Sequence, residues 1–348
     1  MSNDELLVIK GDEVRALLEG QERQLMQLVQ SAYLSHFNGE SSLPPSTFLS
    51  FPHEPRNRVI ALPAYLGGRF NIAGIKWISS FPGNHVFGLD RAAAVVILNS
   101  VETGRANAVI EASVISAKRT AASAALAAKY LQGEHRAERA GMIGCGPINF
   151  EIARFLLVAC PEITTFCIFD SFGDKALWFK DKCAELSPDV KVVIAGSAAE
   201  VLETCALVSI ATNAGDPHIL APSNIQPGST LLHVSLRDLS PEVILSCDNI
   251  VDDIDHVCRA QTSLHLTEQL VGHREFIRCT LAEVLGGTAN ARRKAELPVV
   301  FSPFGLGVLD LAVSEMVYAR AGNRKVGTII SSFQPEPWNQ KTQGTVAS

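Results

Sequence analysis

No two cysteines of this 348-residue chain are spaced C-x-x-C, and its eight lie scattered between Cys145 and Cys279. The pattern argues against a disulfide framework and fits reduced, mostly buried thiols in a reducing compartment. Zinc spacing is missing too. His256, Cys258 and His265 in "HVCRAQTSLH" match no ligand pattern, so local packing roles are expected for them and no metal. No apolar run approaches the roughly 20 residues of a membrane span. Positive charge is in deficit, with 30 Lys and Arg against 36 Asp and Glu and a net charge of −6. A general attraction to nucleic acid or anionic membrane is thereby excluded, and any basic site must be local. The opening "MSNDELLVIK" lacks the charged, apolar, small-residue layout of a secretory signal, which leads us to expect a cytoplasmic protein. We find no repeat or low-complexity tract.

What is present suffices for a substantial core: 47% of residues are hydrophobic, and the length suggests two domains. "ELLVI" reads as a strand, followed by an amphipathic helix from Asp12, as N-cap, to Phe37. A Pro/Ser-rich loop, "SSLPPSTFLSFP", leads to three strand candidates: "NRVIALPAYLG", "FNIAGIKWISS" and "AAAVVILNSVETGRANAVIEA". Turn residues separate them, as in an antiparallel sheet. "SVISAKRTAASAALAAKYL", free of Gly and Pro, predicts a helix ending at Gly133. From Arg139 the rhythm becomes strand, helix, strand, which predicts a parallel, doubly wound sheet. A last helix from Gly305 to about Ala321 precedes "VGTIISSF", a β-rich tail able to return to the first sheet.

The hinge of that rhythm is "GCGPIN". Gly144 and Gly146 occupy the first two positions of G-x-G-x-x-G, while Asn149 stands at the third. The first glycine allows a tight turn and the second lets backbone approach a pyrophosphate, which would meet free N–H groups where a helix starts at Pro147. Asp170 closes "TTFCIFD" at the place of the ribose-binding acid. A carboxylate there repels a 2′-phosphate, so NAD is expected over NADP; the alternative is that Asp170 caps the next helix.

"GIKWIS", "EASVISAKRTAASAALAAKYL" and "IGCGPIN", in that order, resemble the ornithine cyclodeaminase/mu-crystallin family over nearly the whole chain. The resemblance implies an α/β protein: a doubly wound parallel (Rossmann) NAD-binding domain over 121–321, and an α+β substrate and dimerisation domain built from both termini, 1–120 and 322–348. It implies NAD(P)-linked chemistry at the carbon–nitrogen bond of an amino acid, and a homodimer. Carried over by position, Arg58 and Arg119 bind substrate carboxylate, Lys76 is the active-site lysine and Asp238 in "VSLRDLSPE" the catalytic aspartate. We assign Pro147 and Ile148 to the nucleotide turn, and Thr212, Asn213, Ser235, Phe304 and Gly305 to the nicotinamide end.

One departure narrows the reading. Where many cyclodeaminases carry Gly-Leu-Pro-Thr, this chain has "GLDRAAAVVILN", which places Arg91 near the substrate. With Trp77, this resembles the branch that oxidises N-(1-amino-1-carboxy-2-ethyl)glutamate with NAD to give 2,3-diaminopropionate for siderophores such as staphyloferrin B. Three arginines and a lysine suit a small polyanionic amino acid, since Arg clamps carboxylates and Lys can also move protons. Lys76 lies inside an apolar run, where an unpaired ammonium would be costly, so it should face a cavity or a partner. Arg58 and Arg91 also admit a reading as solvated strand residues, Asp238 as a helix N-cap, and His233 as a core histidine. The rival functions are a cyclodeaminase, a cyclic-ketimine reductase, or a crystallin-like nucleotide-binding protein without catalysis.

Overall fold

A computed structural model describes residues 5–133 and 136–335; the N-terminal four residues and the segment beyond 335, part of the expected terminal domain, lie outside the described residues. The chain opens with β1 (Leu6–Ile9), α1 (Gly11–Leu18) and α2 (Glu22–Phe37). The single helix expected over 12–37 is thus broken, because Gly20 takes a left-handed φ of 67°. Nor does Asp12 cap it: the helix starts at Gly11, and the Glu13 carboxylate accepts the Lys10 N–H.

β2 (Ser41–Ser42) and β3 (Thr47–Ser50) form inside the expected Pro/Ser loop, paired with β4 (Arg58–Leu66). β5 (Ile72–Ser80) and a hairpin of β6 (Ala92–Asn99) and β7 (Ala106–Glu111) follow. The third strand candidate is therefore two strands, turning at Gly104 with φ 72°. These strands make a sheet ordered β16-β1-β7-β6-β5-β4-β2, where β16 (Thr328–Ile330) comes back from the C-terminal tail to pair antiparallel with β1.

α3 (Ser113–Leu131) packs on α2, on α1 and on β6. Its alanines 121, 122, 124, 125, 127 and 128 are all buried. A helix apolar on every side belongs between layers, and alanine lets those layers approach closely.

The second sheet is made from β8 (Arg139–Ile143), α4 (Pro147–Ala159), β9 (Thr165–Phe169), α5 (Gly173–Leu186), β10 (Lys191–Ile194), α6 (Ala198–Thr204) and β11 (Leu207–Ile210). It continues with β12 (Thr230–His233), α7 (Pro241–Leu245), β13 (Asp248–Val251), α8 (Ile254–Val257), α9 (Ser263–Val271), β14 (Ile277–Thr280), α10 (Leu281–Leu285) and β15 (Val299–Ser302). All its pairings are parallel, in the order β10-β9-β8-β11-β12-β15-β13-β14. The order reverses between β8 and β11, and such a switch point leaves a crevice at the carboxyl ends of the strands. α11 (Gly307–Arg324) then crosses to the first sheet, packing on β4, β5 and α2. α3 touches both halves, packing on α4, β12 and β15 as well as on α2, and the boundaries expected at 120/121 and 321/322 fall inside α3 and α11.

Candidate active site

At the switch point the chain leaves β8 through Gly144, whose φ is 91°. A Cβ there would lie 2.4 Å from the Ala211 carbonyl oxygen, so only glycine permits this turn beside β11. Gly146 precedes α4 with open space where its Cβ would be, and Pro147 takes the first helical position. Free N–H groups therefore face an unobstructed surface, as a pyrophosphate requires.

Asn149 is fully buried. Its Nδ2 donates to the carbonyls of Ile143 (2.9 Å) and Gly144 (2.7 Å), and its Oδ1 accepts from the Ser209 hydroxyl at 2.7 Å. Its side chain is thus a strut joining α4 to β8 and β11, so at the third position of the glycine motif only its backbone is left to meet a cofactor. Asp170 ends β9 with one carboxylate oxygen on the Cys145 N–H and the other on that of Phe172. A carboxylate has about four acceptor positions, so room for ribose hydroxyls is left. Ile148, Arg119 and Phe304 line a cavity of about 190 Å³ between this turn and α3.

Lys76 on β5, Arg119 on α3 and Asp310 on α11 meet in the interior. Lys76 Nζ is 2.6 Å from Asp310 Oδ2 and 3.5 Å from the Ser116 hydroxyl, and Arg119 Nε donates to Asp310 Oδ1 at 3.1 Å. Lys76 is 2% exposed and Asp310 fully buried. Burial and the nearby Arg119 push the Lys76 amine down from 10.5 to about 8, against the pull of Asp310. Asp310 was not singled out in the sequence; an Asp inside the apolar "GLGVLDLAV" was the available signal, since two buried cations demand a counter-ion.

Gly305 faces the same guanidinium. Its φ is 95°, and a Cβ would stand 2.7 Å from Arg119 Nη1. The turn is pinned by Asp252, missed in the sequence, whose carboxylate accepts the N–H groups of Phe304 (2.9 Å) and Gly305 (2.7 Å).

Arg58 and Arg91 come together at the ends of β4 and β6 with a third arginine, Arg237, that sequence reasoning passed over beside Asp238. Burial lowers the pKa of all three; Arg58 lowers that of Arg91 further, and both lower that of Arg237. Arg91 donates to the Ser80 hydroxyl and to the Asn213 side chain, Arg237 to the Ala260 carbonyl. Arg58 Nε is buried without a hydrogen-bond partner. Among the described residues none of the three has an ion pair within 4.0 Å. Three guanidinium groups, Arg58, Arg91 and Arg237, thus stand together with a single carboxylate, Asp238, acting on Arg237.

Asp238 follows β12 and is fully buried. His218 Nε2 lies 3.1 Å from Oδ1 and His233 Nε2 3.3 Å from Oδ2, and the hydroxyls of Thr212 and Ser235 donate to the same carboxylate. Burial opposes its ionisation, but the bonds from His218 and Ser235 and the nearby His233 ring outweigh burial and hold the carboxyl well below the usual carboxylate range. A carboxylate so stabilised is a weak base. His233 is a core histidine, with Nδ1 on the Ser302 hydroxyl at 3.2 Å. Leu236, between Ser235 and Arg237, has a φ of 69°, a left-handed conformation uncommon for leucine. Of the histidines in "HVCRAQTSLH", His256 bonds Asp253, while His265 accepts the Gln261 N–H. No group of three His, Cys, Asp or Glu among the described residues is placed to hold a metal ion, and none of their helices is long and apolar enough to cross a membrane.

Comparison with known proteins follows the same lines. The sequence profile of the ornithine cyclodeaminase/mu-crystallin family matches residues 8–325. The chain is 26% identical to N-((2S)-2-amino-2-carboxyethyl)-L-glutamate dehydrogenase of Staphylococcus aureus over 95% of this chain and 100% of that one. A solved archaeal alanine dehydrogenase, a dimer with bound NAD, is 27% identical with a TM-score of 0.84, over 94% of this chain and 99% of that one. The Thermococcus litoralis Delta(1)-pyrroline-2-carboxylate reductase, solved with NADH and L-proline, is 25% identical with a TM-score of 0.82, over 93% and 99%.

Proposed function

Because the chain belongs to the ornithine cyclodeaminase/mu-crystallin family, we propose that it is an NAD-dependent amino-acid dehydrogenase whose substrate is a tricarboxylate adduct, N-(1-amino-1-carboxy-2-ethyl)-L-glutamate. The products are L-2,3-diaminopropionate and 2-oxoglutarate. The observation that carries this reading is the cluster of Arg58, Arg91 and Arg237, half-buried and mutually repelling, with no ion pair within 4.0 Å and only the nearby Asp238 to oppose the charge of Arg237. Uncompensated guanidinium groups in such a place are costly unless a ligand supplies the anions. Three guanidinium groups match three carboxylates. The dehydrogenase of Staphylococcus aureus, similar over its full length, supports the same substrate.

The Gly144–Pro147 turn and Asp170 would hold the dinucleotide, whose nicotinamide accepts the hydride. Arg58, Arg91 and Arg237 fix the substrate carboxylates and so orient the Cα–H bond of its glutamate moiety. Arg119 adds a carboxylate contact at the cavity it lines with Ile148 and Phe304. Lys76, with its amine near 8, exchanges a proton with the substrate nitrogen as the imine forms. Water added to the imine carbon gives a carbinolamine, which collapses to the keto acid and the amine.

We place a second copy of the chain against the first sheet. Trp77 and Val95 are registered partners on β5 and β6 and both stand exposed, as does Ile329 on β16, and the alanine dehydrogenase of similar structure is a dimer. The likeness to the Thermococcus litoralis reductase favours a second reading, reduction of a cyclic imine. Reduced-nicotinamide absorbance with the adduct, alanine, proline and ornithine offered separately distinguishes them. The adduct should be preferred, and Arg237→Ala should cost it on the order of tenfold to a hundredfold in kcat/KM while leaving NAD affinity unchanged. Better turnover of proline, or unchanged adduct kinetics in Arg237→Ala, overturns the tricarboxylate reading.

A further inference from the structure

Two histidines flank Asp238, and they differ in one respect. His233 is sealed in the core with both ring nitrogens engaged, Nδ1 by the Ser302 hydroxyl and Nε2 by the Asp238 N–H at 3.2 Å. His218 touches the same carboxylate through Nε2, yet its side chain is 41% exposed. Its own loop is anchored to the rest of the site: Thr212 donates to Asp238, and Asn213 accepts from Arg91. A buried carboxylate that accepts Nε2–H leaves the imidazole lone pair on the outward Nδ1. In this arrangement the aspartate orients the ring, while the ring meets the solvent.

We propose that His218, held by Asp238, is the proton-transfer group for the hydrolytic half of the reaction, an assignment that rests on the dehydrogenase reading above. As the imine carbon is attacked, the water oxygen forms the C–O bond, one water proton passes to His218 Nδ1, and the imine nitrogen takes a proton from the Lys76 ammonium. When the carbinolamine collapses, the C–N bond breaks, the hydroxyl oxygen forms C=O and gives its proton to the Lys76 amine, and the leaving nitrogen receives the proton held on Nδ1. Asp238 stays ionised throughout, consistent with the hydrogen bonds its carboxylate accepts from His218, Thr212 and Ser235 and with a carboxyl held below the usual range. It is a positioning residue, and His218 is the catalytic one.

The test separates the two halves of the turnover. In a single turnover with the adduct and NAD, His218→Ala should form reduced nicotinamide within about threefold of the wild-type rate, while steady-state release of 2,3-diaminopropionate falls about 10²–10⁴-fold. Added imidazole should restore part of the steady-state rate, as it can reach an exposed ring position, and restoration is not expected from a loop that has merely shifted. His218→Gln should lose steady-state turnover as His218→Ala does, because an amide can keep the hydrogen bond to Asp238 but cannot carry the proton. Asp238 faces His218 directly, with His233 and Arg237 beyond it and Arg91 reaching its loop through Asn213; these charges are the same in both proteins. Steady-state turnover within threefold of wild type, or loss of the hydride burst in parallel with turnover, overturns the proposal. Should wild type oxidise another amino acid and ignore the adduct, the substrate reading fails separately. The same paired measurement on that amino acid then decides on His218, because release of ammonia from its imine also needs water.

Discussion

Lys76→Met is the most informative single change in the interior, because it removes a buried ammonium and keeps an unbranched chain of similar length. Burial, with Arg119 adding to it, brings the amine from 10.5 to about 8 in the folded protein, and that difference corresponds to about 3 kcal/mol. Below about pH 8 both folded and unfolded chains carry the proton, so the penalty is constant. Between about 8 and 10.5 the unfolded chain binds the proton that the folded chain has released, and stability therefore rises with pH across that window. Lys76→Met has no such term. Buried thiols such as Cys183 and Cys279, pushed up to about 12 and about 11, lower stability at alkaline pH in both proteins alike. The difference between the two curves therefore isolates the lysine. Urea unfolding without NAD, in steps from about pH 7 to about pH 10.5, should show wild type gaining about 3 kcal/mol on the variant. A difference flat to within about 1 kcal/mol would show that Asp310 fully offsets the burial of the amine, and the assignment of Lys76 as a group able to give up its proton near neutrality would fall.

Gly305→Ala places a Cβ within 2.7 Å of Arg119 Nη1 at a φ of 95°; it should lower kcat/KM at least tenfold through displacement of that guanidinium, which steady-state kinetics will read. Asn149→Ala leaves the Ile143 and Gly144 carbonyls and the Ser209 hydroxyl without their partner, so denaturant unfolding should show a loss of about 1–3 kcal/mol, with weaker NAD binding by calorimetry. Asp170→Ser should narrow the preference for NAD over NADP, measured as the ratio of the two dissociation constants, and a wild type that binds NADP more tightly would refute the ribose assignment.

Local features of this molecule were legible in its sequence, and pairings between distant residues were not. The strand–turn–helix at Gly144 and the long alanine-rich helix each rest on signals within a few residues, and the return of the "GTIISSF" tail to the first sheet is the exception, a distant pairing expected from the tail's β-rich composition. Gly20 was visible but was read through as helix, because a single glycine inside an amphipathic pattern is compatible with either outcome. The β6–β7 hairpin was hidden by the uniformly apolar flanks of its turn. Asp310 and Asp252 act through partners that sequence spacing does not reveal: one joins strand to helix across 234 positions, the other accepts backbone N–H groups 52 and 53 positions away. Arg237 and His218 were passed over because each stands next to, or folds against, an aspartate that had already been given the role.

The 234-position reach between Lys76 and Asp310 also bears on how the chain is made. A ribosome working at about 5–20 residues per second needs roughly 10 to 50 s to travel from the lysine to its counter-ion. During that interval the nascent N-terminal layer carries an ammonium inside an apolar strand, and its edge strand β1 still awaits β16. The eight parallel strands between Arg139 and Ser302 complete their own sheet before either partner emerges. Vectorial synthesis therefore favours the nucleotide sheet as the first cooperative unit, with closure of the first sheet as the last event after release.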